Sequence, residues 1–218
     1  MQRIEWRGSG TNPFLEPARA LLEKTGGGRR ILGIAGAPAS GKSTLASKLT
    51  HRLQAEAPGR VALLGMDGFH LAHQVLEQRN QVDIKGAPET FDALGFVHTL
   101  QRIKHTDDTV YAPRFDRDQE DSVAQAVEIG SDVRLVITEG NYLLLDADPW
   151  TQVRPLLDQA WFVQLTEPIR QSRLLQRHLS FGHPPDIARN KTYGSDQDNA
   201  DLVNSAVVTP DLWIDHST

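Results

Sequence analysis

Apolar residues along this chain keep two rhythms. Continuous runs occur at Ile31 to Ala35, Val61 to Leu64, Leu135 to Ile137, Ala160 to Leu165 and Leu212 to Ile214. Their length and lack of alternation predict strands buried on both faces. Between them, apolar residues recur every three or four positions, as on one face of a helix. Phe14, Ala18, Leu21 and Leu22 form one such face, with Asn12-Pro13 suited to its start and Gly26 to Gly28 ending it. Leu45, Leu49 and Leu53 form another, closed by Pro58-Gly59, and Phe96, Leu100 and Ile103 a third. Val153, Leu156 and Leu157 predict a short helix, and Thr166 can cap one that runs through Arg170, Arg173 and Arg177. Thr109 to Asp116 reads as extended, the stretch from Asp67 to about Thr90 as polar and irregular, and Ser180 to Asn199 as a loop.

Strands alternating with helices predict an α/β fold, a mainly parallel sheet with helices on both faces. In such sheets ligands bind beyond the carboxyl ends of the strands. Three of the predicted strands end there in polar signals: the segment Gly36 to Ser43, Asp67, and Glu139. The chain has 218 residues, 39% hydrophobic and 23% charged, which predicts one domain over residues 1–218 with enough apolar material for a core. A net charge of −5 argues against nucleic acid as the partner. With no cysteine, disulfides and zinc–thiolate sites are excluded. The first ten residues lack the apolar core of a signal peptide, and no stretch nears the roughly 20 apolar residues of a membrane span, so a cytoplasmic protein without membrane contact is expected.

The segment Gly36-Ala37-Pro38-Ala39-Ser40-Gly41-Lys42-Ser43-Thr44 fits G-x-x-x-x-G-K-[ST], between a predicted strand and a predicted helix. Glycines let the backbone wrap phosphates with its N–H groups turned inward, and the helix adds its positive end. Lys42 then bridges the β- and γ-phosphates of ATP, and Ser43 binds Mg²⁺. Asp67 is the candidate to orient and deprotonate an acceptor hydroxyl, against the alternative of an ordinary turn residue before Gly68. Glu139 is the candidate second metal-side acid, against a solvated strand end. Arg170, Arg173 and Arg177 share a helix face that can close over a triphosphate, or else be a solvated stripe. Among the histidines none forms H-E-x-x-H, and His70 stands out for lying three residues beyond Asp67.

Taken together, GAPASGKST, MDGFH, KGAPETFD, YAPRFDR, TEGNYLLL and RLLQRH resemble the P-loop kinases of the phosphoribulokinase, uridine kinase and pantothenate kinase group, over roughly residues 30–215. The likeness is strongest to the pantothenate-kinase-like branch, whose members are often labelled fructokinase or nucleoside kinase-like. The resemblance implies a P-loop NTPase three-layer sandwich with a five-stranded, mainly parallel sheet and a helical lid over about 170–199. It implies transfer of the ATP γ-phosphate to a hydroxyl of a small molecule. Lys42, Asp67 and Arg173 would be catalytic, with Arg173 on the lid. Gly36 to Thr44 and Arg177 would bind the nucleotide, and Ser43 and Glu139 the Mg²⁺. His70, Tyr111, Arg114 and Asp116 would join Asp67 around the acceptor, and Asn204 to Pro210 would lie near the adenine.

A sugar such as fructose, a nucleoside or a pantothenate-like vitamin precursor suits this polar set. The resemblance leaves the choice among them open, and oligomeric state too, a homodimer being one option. The competing reading is an ATP-binding regulatory switch that hydrolyses slowly and has no small-molecule acceptor. Gly182, Pro184-Pro185 and Gly194, with few apolar residues among them, predict that His178 to Asn199 is a mobile lid closing on ATP and acceptor.

Overall fold

The computed structural model describes residues 2–217 apart from Ser9 and Thr25. Its elements in chain order are β1 (Gln2–Trp6), α1 (Asn12–Leu22), β2 (Arg30–Ala35), α2 (Lys42–Glu56), β3 (Val61–Gly65), α3 (His73–Gln78), α4 (Ala93–His105), β4 (Val110–Asp116), β5 (Asp121–Ile129), β6 (Leu135–Gly140), β7 (Gln159–Leu165), α5 (Glu167–Ser180), α6 (Pro185–Tyr193), α7 (Ser195–Ser205) and β8 (Leu212–His216). Six strands form one sheet in the order β1-β8-β7-β2-β6-β3, every neighbouring pair parallel. The sheet is thus α/β and parallel as expected, with six strands in place of five.

The pleat of β2 shows why its run is continuous. Ile31 and Ala35 join a core with Phe96, Leu100 and Phe162, while Leu32 and Ile34 join the opposite one with Phe14, Leu45 and Leu49. Both faces are covered, so every position must be apolar. β6 lies beside β2 and β3 on its far side, which brings the carboxyl ends of all three strands to one edge.

Five parts of the chain depart from the sequence reading, one of them the stretch from Asp67 to Thr90, read as irregular, where α3 forms over His73–Gln78. β1 was not foreseen: in Gln-Arg-Ile-Glu-Trp only Ile4 and Trp6 are apolar, and the strand exists because β8 supplies a ladder for it. β4 is extended as expected, yet its partner is the unforeseen β5, antiparallel and outside the main sheet. Around Val153 to Leu157 there is no α-helix but a pair of 3₁₀ turns, Trp150–Gln152 and Arg154–Leu156. Finally, Ser180 to Asn199 is mostly helical. Proline is tolerated in a helix's first turn, so Pro184-Pro185 starts α6, and Gly194 separates it from α7. Among the described residues no helix is long and apolar enough to cross a membrane.

Candidate active site

The phosphate loop turns from β2 into α2. Gly41 stands at the helix start at φ 102, and Ala39 holds φ 63, an uncommon conformation for a residue with a Cβ. No side chain caps α2, so the first N–H groups of the helix are left for an anionic ligand. Lys42 is buried. Burial lowers its basicity, while Glu139 and Asp67 work in the opposite direction. Ser43 donates its hydroxyl to Glu139 Oε2 at 2.8 Å. Burial raises the Glu139 pKa, opposed by Lys42 and by that hydrogen bond. A serine hydroxyl and a carboxylate in contact are hard oxygen donors of the kind Mg²⁺ takes. The pair fits the expected metal, and the two residues come from positions 96 apart in the sequence.

Asp67 sits in the 3₁₀ turn Met66–Phe69 that ends β3. Arg117 reaches to 3.8 Å from its carboxylate. His70 follows, stacked on Phe91 with ring centroids 3.9 Å apart and 5.1 Å from Phe115. Burial pushes the His70 pKa down to about 4, Lys85 and Arg117 pushing the same way and Asp67 resisting, so the ring is neutral.

These groups line a cleft in two parts. The outer part, about 740 Å³, is bordered by Trp6 to Gly8, Gly41 to Thr44, Arg173 and His216. The inner part, about 190 Å³, is bordered by Asp67, His70, Lys85, Asn141, His178, Phe181 and Asn199. Lys42, Ser43, Arg117 and Arg177 border both. Buried polar atoms normally have partners. Yet His70 Nδ1, Asn141 Oδ1, Arg177 Nε and His178 Nδ1 have none within the protein, and all four side chains border the inner part.

The structure brings together most of the residues picked from sequence: Pro38, Ala39, Gly41 to Thr44, Asp67, His70, Glu139, Arg173 and Arg177. Gly36, Ala37 and Ser40 form the buried underside of the loop. Arg114 borders a separate hollow of about 200 Å³ between β4 and β3, which Asp67, Arg117 and Glu139 also line. Tyr111 and Asp116 need correction, since neither lines the cleft. Tyr111 is half exposed on the outer face of β4. Asp116 accepts from the N–H groups of Asp118 and Gln119 and so shapes the hairpin turn. The segment Asn204 to Pro210 does not border the cleft either, being tied to Leu144–Asp146 by backbone bonds. The arginine stripe divides as well. Arg170 is buried and donates to Gln197, bracing α5 against α7, while Arg173 and Arg177 reach the cleft. Sequence reasoning missed Arg117, Lys85 and His216. Arg117 lies in the hairpin turn just after β4 ends at Asp116, where strand alternation gives no signal for it.

The profile of the methylmalonyl-CoA mutase-associated GTPase MeaB matches residues 12–71, the phosphate loop and its flanking elements. A candidate uridine kinase of Schizosaccharomyces pombe is 32% identical over 84% of this chain and 82% of its own length. The pantothenate kinase of Enterococcus faecalis is 33% identical over 67% of this chain and 48% of its own length. The crystal structure of a candidate fructose transport system kinase from Silicibacter sp. TM1040 superposes with a TM-score of 0.86 at 36% identity, covering 94% of this chain and 98% of that one. These likenesses extend over most of the chain, and with them the chain belongs to the P-loop kinases of the phosphoribulokinase, uridine kinase and pantothenate kinase group.

Proposed function

We propose that this protein transfers the γ-phosphoryl group of ATP, with Mg²⁺, to a hydroxyl of a small polar metabolite. The observation that carries the proposal is the two-part cleft whose halves meet at Lys42, Ser43, Arg117 and Arg177. A nucleotide in the outer half points its terminal phosphate at that junction, and Asp67 stands on the inner side of it. Bound there by Ser43 and Glu139, Mg²⁺ would offset phosphate charge.

Lys42 and the loop N–H groups hold the phosphates, and Arg173 and Arg177 face the charge that spreads over the transferring group. Asp67 orients the acceptor hydroxyl and takes its proton. It needs little intrinsic basicity, because a loose transition state releases the proton late and asks mainly for positioning. The α5–α7 lid closes over both ligands and keeps water from the phosphoryl group. A metabolite acceptor fits a cytoplasmic setting.

The inner cavity also favours a kinase over a regulatory switch. A switch has no use for unpartnered polar groups grouped around a hollow of about 190 Å³ beyond Asp67. The names of the relatives supply a panel: fructose, uridine and pantothenate, extended to other sugars, nucleosides and vitamin precursors. ADP release with Mg·ATP should rise sharply with one of them and stay at background for Lys42→Ala. If no hydroxyl compound raises the rate of a protein that binds ATP, the acceptor role is refuted and the switch stands.

A further inference from the structure

His216, at the end of the last strand, is buried beneath the phosphate loop. Its Nδ1 lies 2.7 Å from the carbonyl oxygen of Ser40. A carbonyl only accepts, so this contact assigns the ring proton to Nδ1 and leaves the lone pair on Nε2. The Arg173 guanidinium lies against the same ring, with Nη2 3.4 Å from Nε2, the nitrogen whose lone pair can accept from it, and Nη1 3.2 Å from Nδ1, a contact that is not a hydrogen bond because both atoms are donors. The indole of Trp6 packs on the imidazole at 4.3 Å between centroids. The loop itself rests on this pair: a Cβ placed on Gly41 would come to 2.7 Å from His216 Nδ1 and 3.4 Å from Trp6 Cζ3.

We propose that His216 is a positioning residue that couples the phosphate loop to the lid arginine, donating through Nδ1 to Ser40 and accepting through Nε2 from Arg173. The inference rests on the kinase reading, in which Arg173 meets the phosphates. Arg173 is the long, flexible partner, and a buried neutral acceptor fixed to the loop restricts it to one direction before nucleotide arrives. The ring suits this task only while uncharged. Burial lowers its basicity, and Arg173 and Lys48 add to that. Ordering the cation in advance spares nucleotide binding the entropy of fixing it.

The test needs no acceptor. Affinity for Mg²⁺ with the non-hydrolysable ATP analogue AMP-PNP is measured calorimetrically for the wild type, Arg173→Ala, His216→Phe and the double variant. Phenylalanine keeps the contact with Trp6 and removes both hydrogen bonds. Each single variant should lose about tenfold, the scale of a charge-assisted hydrogen bond, and the double variant should lose no more than either. His216→Gln, which retains a donor and an acceptor, should recover most of the loss, and it serves in the same cycle if His216→Phe does not fold. Losses that multiply in the double variant, or a His216→Phe protein that binds like wild type while Arg173→Ala does not, overturn the coupling. If Arg173→Ala binds like wild type, the assignment of Arg173 to the phosphates fails first and the coupling falls with it. If the wild type does not bind the analogue, the kinase reading itself fails.

Discussion

Gly68 follows Asp67 in the turn at the end of β3, and its hydrogen faces the backbone of β4. A Cβ there would lie 2.4 Å from the Pro113 carbonyl oxygen, 2.8 Å from the Pro113 carbonyl carbon and 3.1 Å from Arg114 Cα. Ordinary carbon–oxygen contacts are about 3.3–3.6 Å, so Gly68→Ala forces the turn and the hairpin apart by roughly 1 Å. Neither side yields easily. β4 is held by its ladder to β5, and the turn is fastened by Asp92 N–H donating to the Phe69 carbonyl at 2.8 Å. Overpacking against rigid backbone costs about 1–3 kcal/mol. At roughly 2–4 °C per kcal/mol for a chain of this size, the melting temperature should fall by on the order of 5 °C. The functional cost should be larger than the structural one. The displaced hairpin carries Arg117, which faces Asp67, and a 1 Å misplacement at a reacting centre can cost about 10²-fold. With the acceptor returned by the ADP-release panel, kcat/KM should fall by about that factor. AMP-PNP affinity should fall far less than turnover, because the atoms that crowd Gly68 are those of β4 and, of the displaced hairpin, only Arg117 borders the nucleotide half. Unchanged melting and turnover would refute the packing argument. Turnover and AMP-PNP affinity falling in parallel would refute the separation of the two halves of the cleft.

Asp67→Asn keeps shape and removes charge, so turnover on the same acceptor should drop by about 10²–10⁴-fold with AMP-PNP binding retained, and an unchanged kcat would remove Asp67 from the chemistry. His70 has its pKa depressed from 6.5 to about 4, chiefly by burial, so the unfolded chain takes a proton that the folded one refuses. Its contribution is complete above pH 6.5 and is lost as pH falls toward 4, by up to roughly 3 kcal/mol. Melting temperature against pH should therefore be flatter for His70→Gln than for wild type across that window, and superimposable slopes would contradict it. Hydrogen exchange over residues 178–199 should slow when AMP-PNP and acceptor are both present, and identical exchange with and without them would leave the lid without support.

The parts whose physics is local could be read from the residues alone. The loop motif at Gly36 to Ser43 announces a phosphate cradle because its residue types do the work wherever the chain places them. Short runs apolar at every position, such as Leu135 to Ile137, alternating with helical patterns, predict strands covered on both faces. Asp67 and Glu139 were legible as the polar ends of such strands. The remaining features depend on partners distant in sequence. β1 is too polar to be recognised without β8 beside it, and α6 begins at two prolines that read equally well as a turn. The three arginines of α5 look alike in sequence, yet Arg170 turns inward to Gln197 while Arg173 and Arg177 border the cleft. Helix spacing fixes which residues share a face but not what that face meets. The same limit hid His216, whose ring gains its place only when the last strand, the first strand and the phosphate loop come together around one buried site.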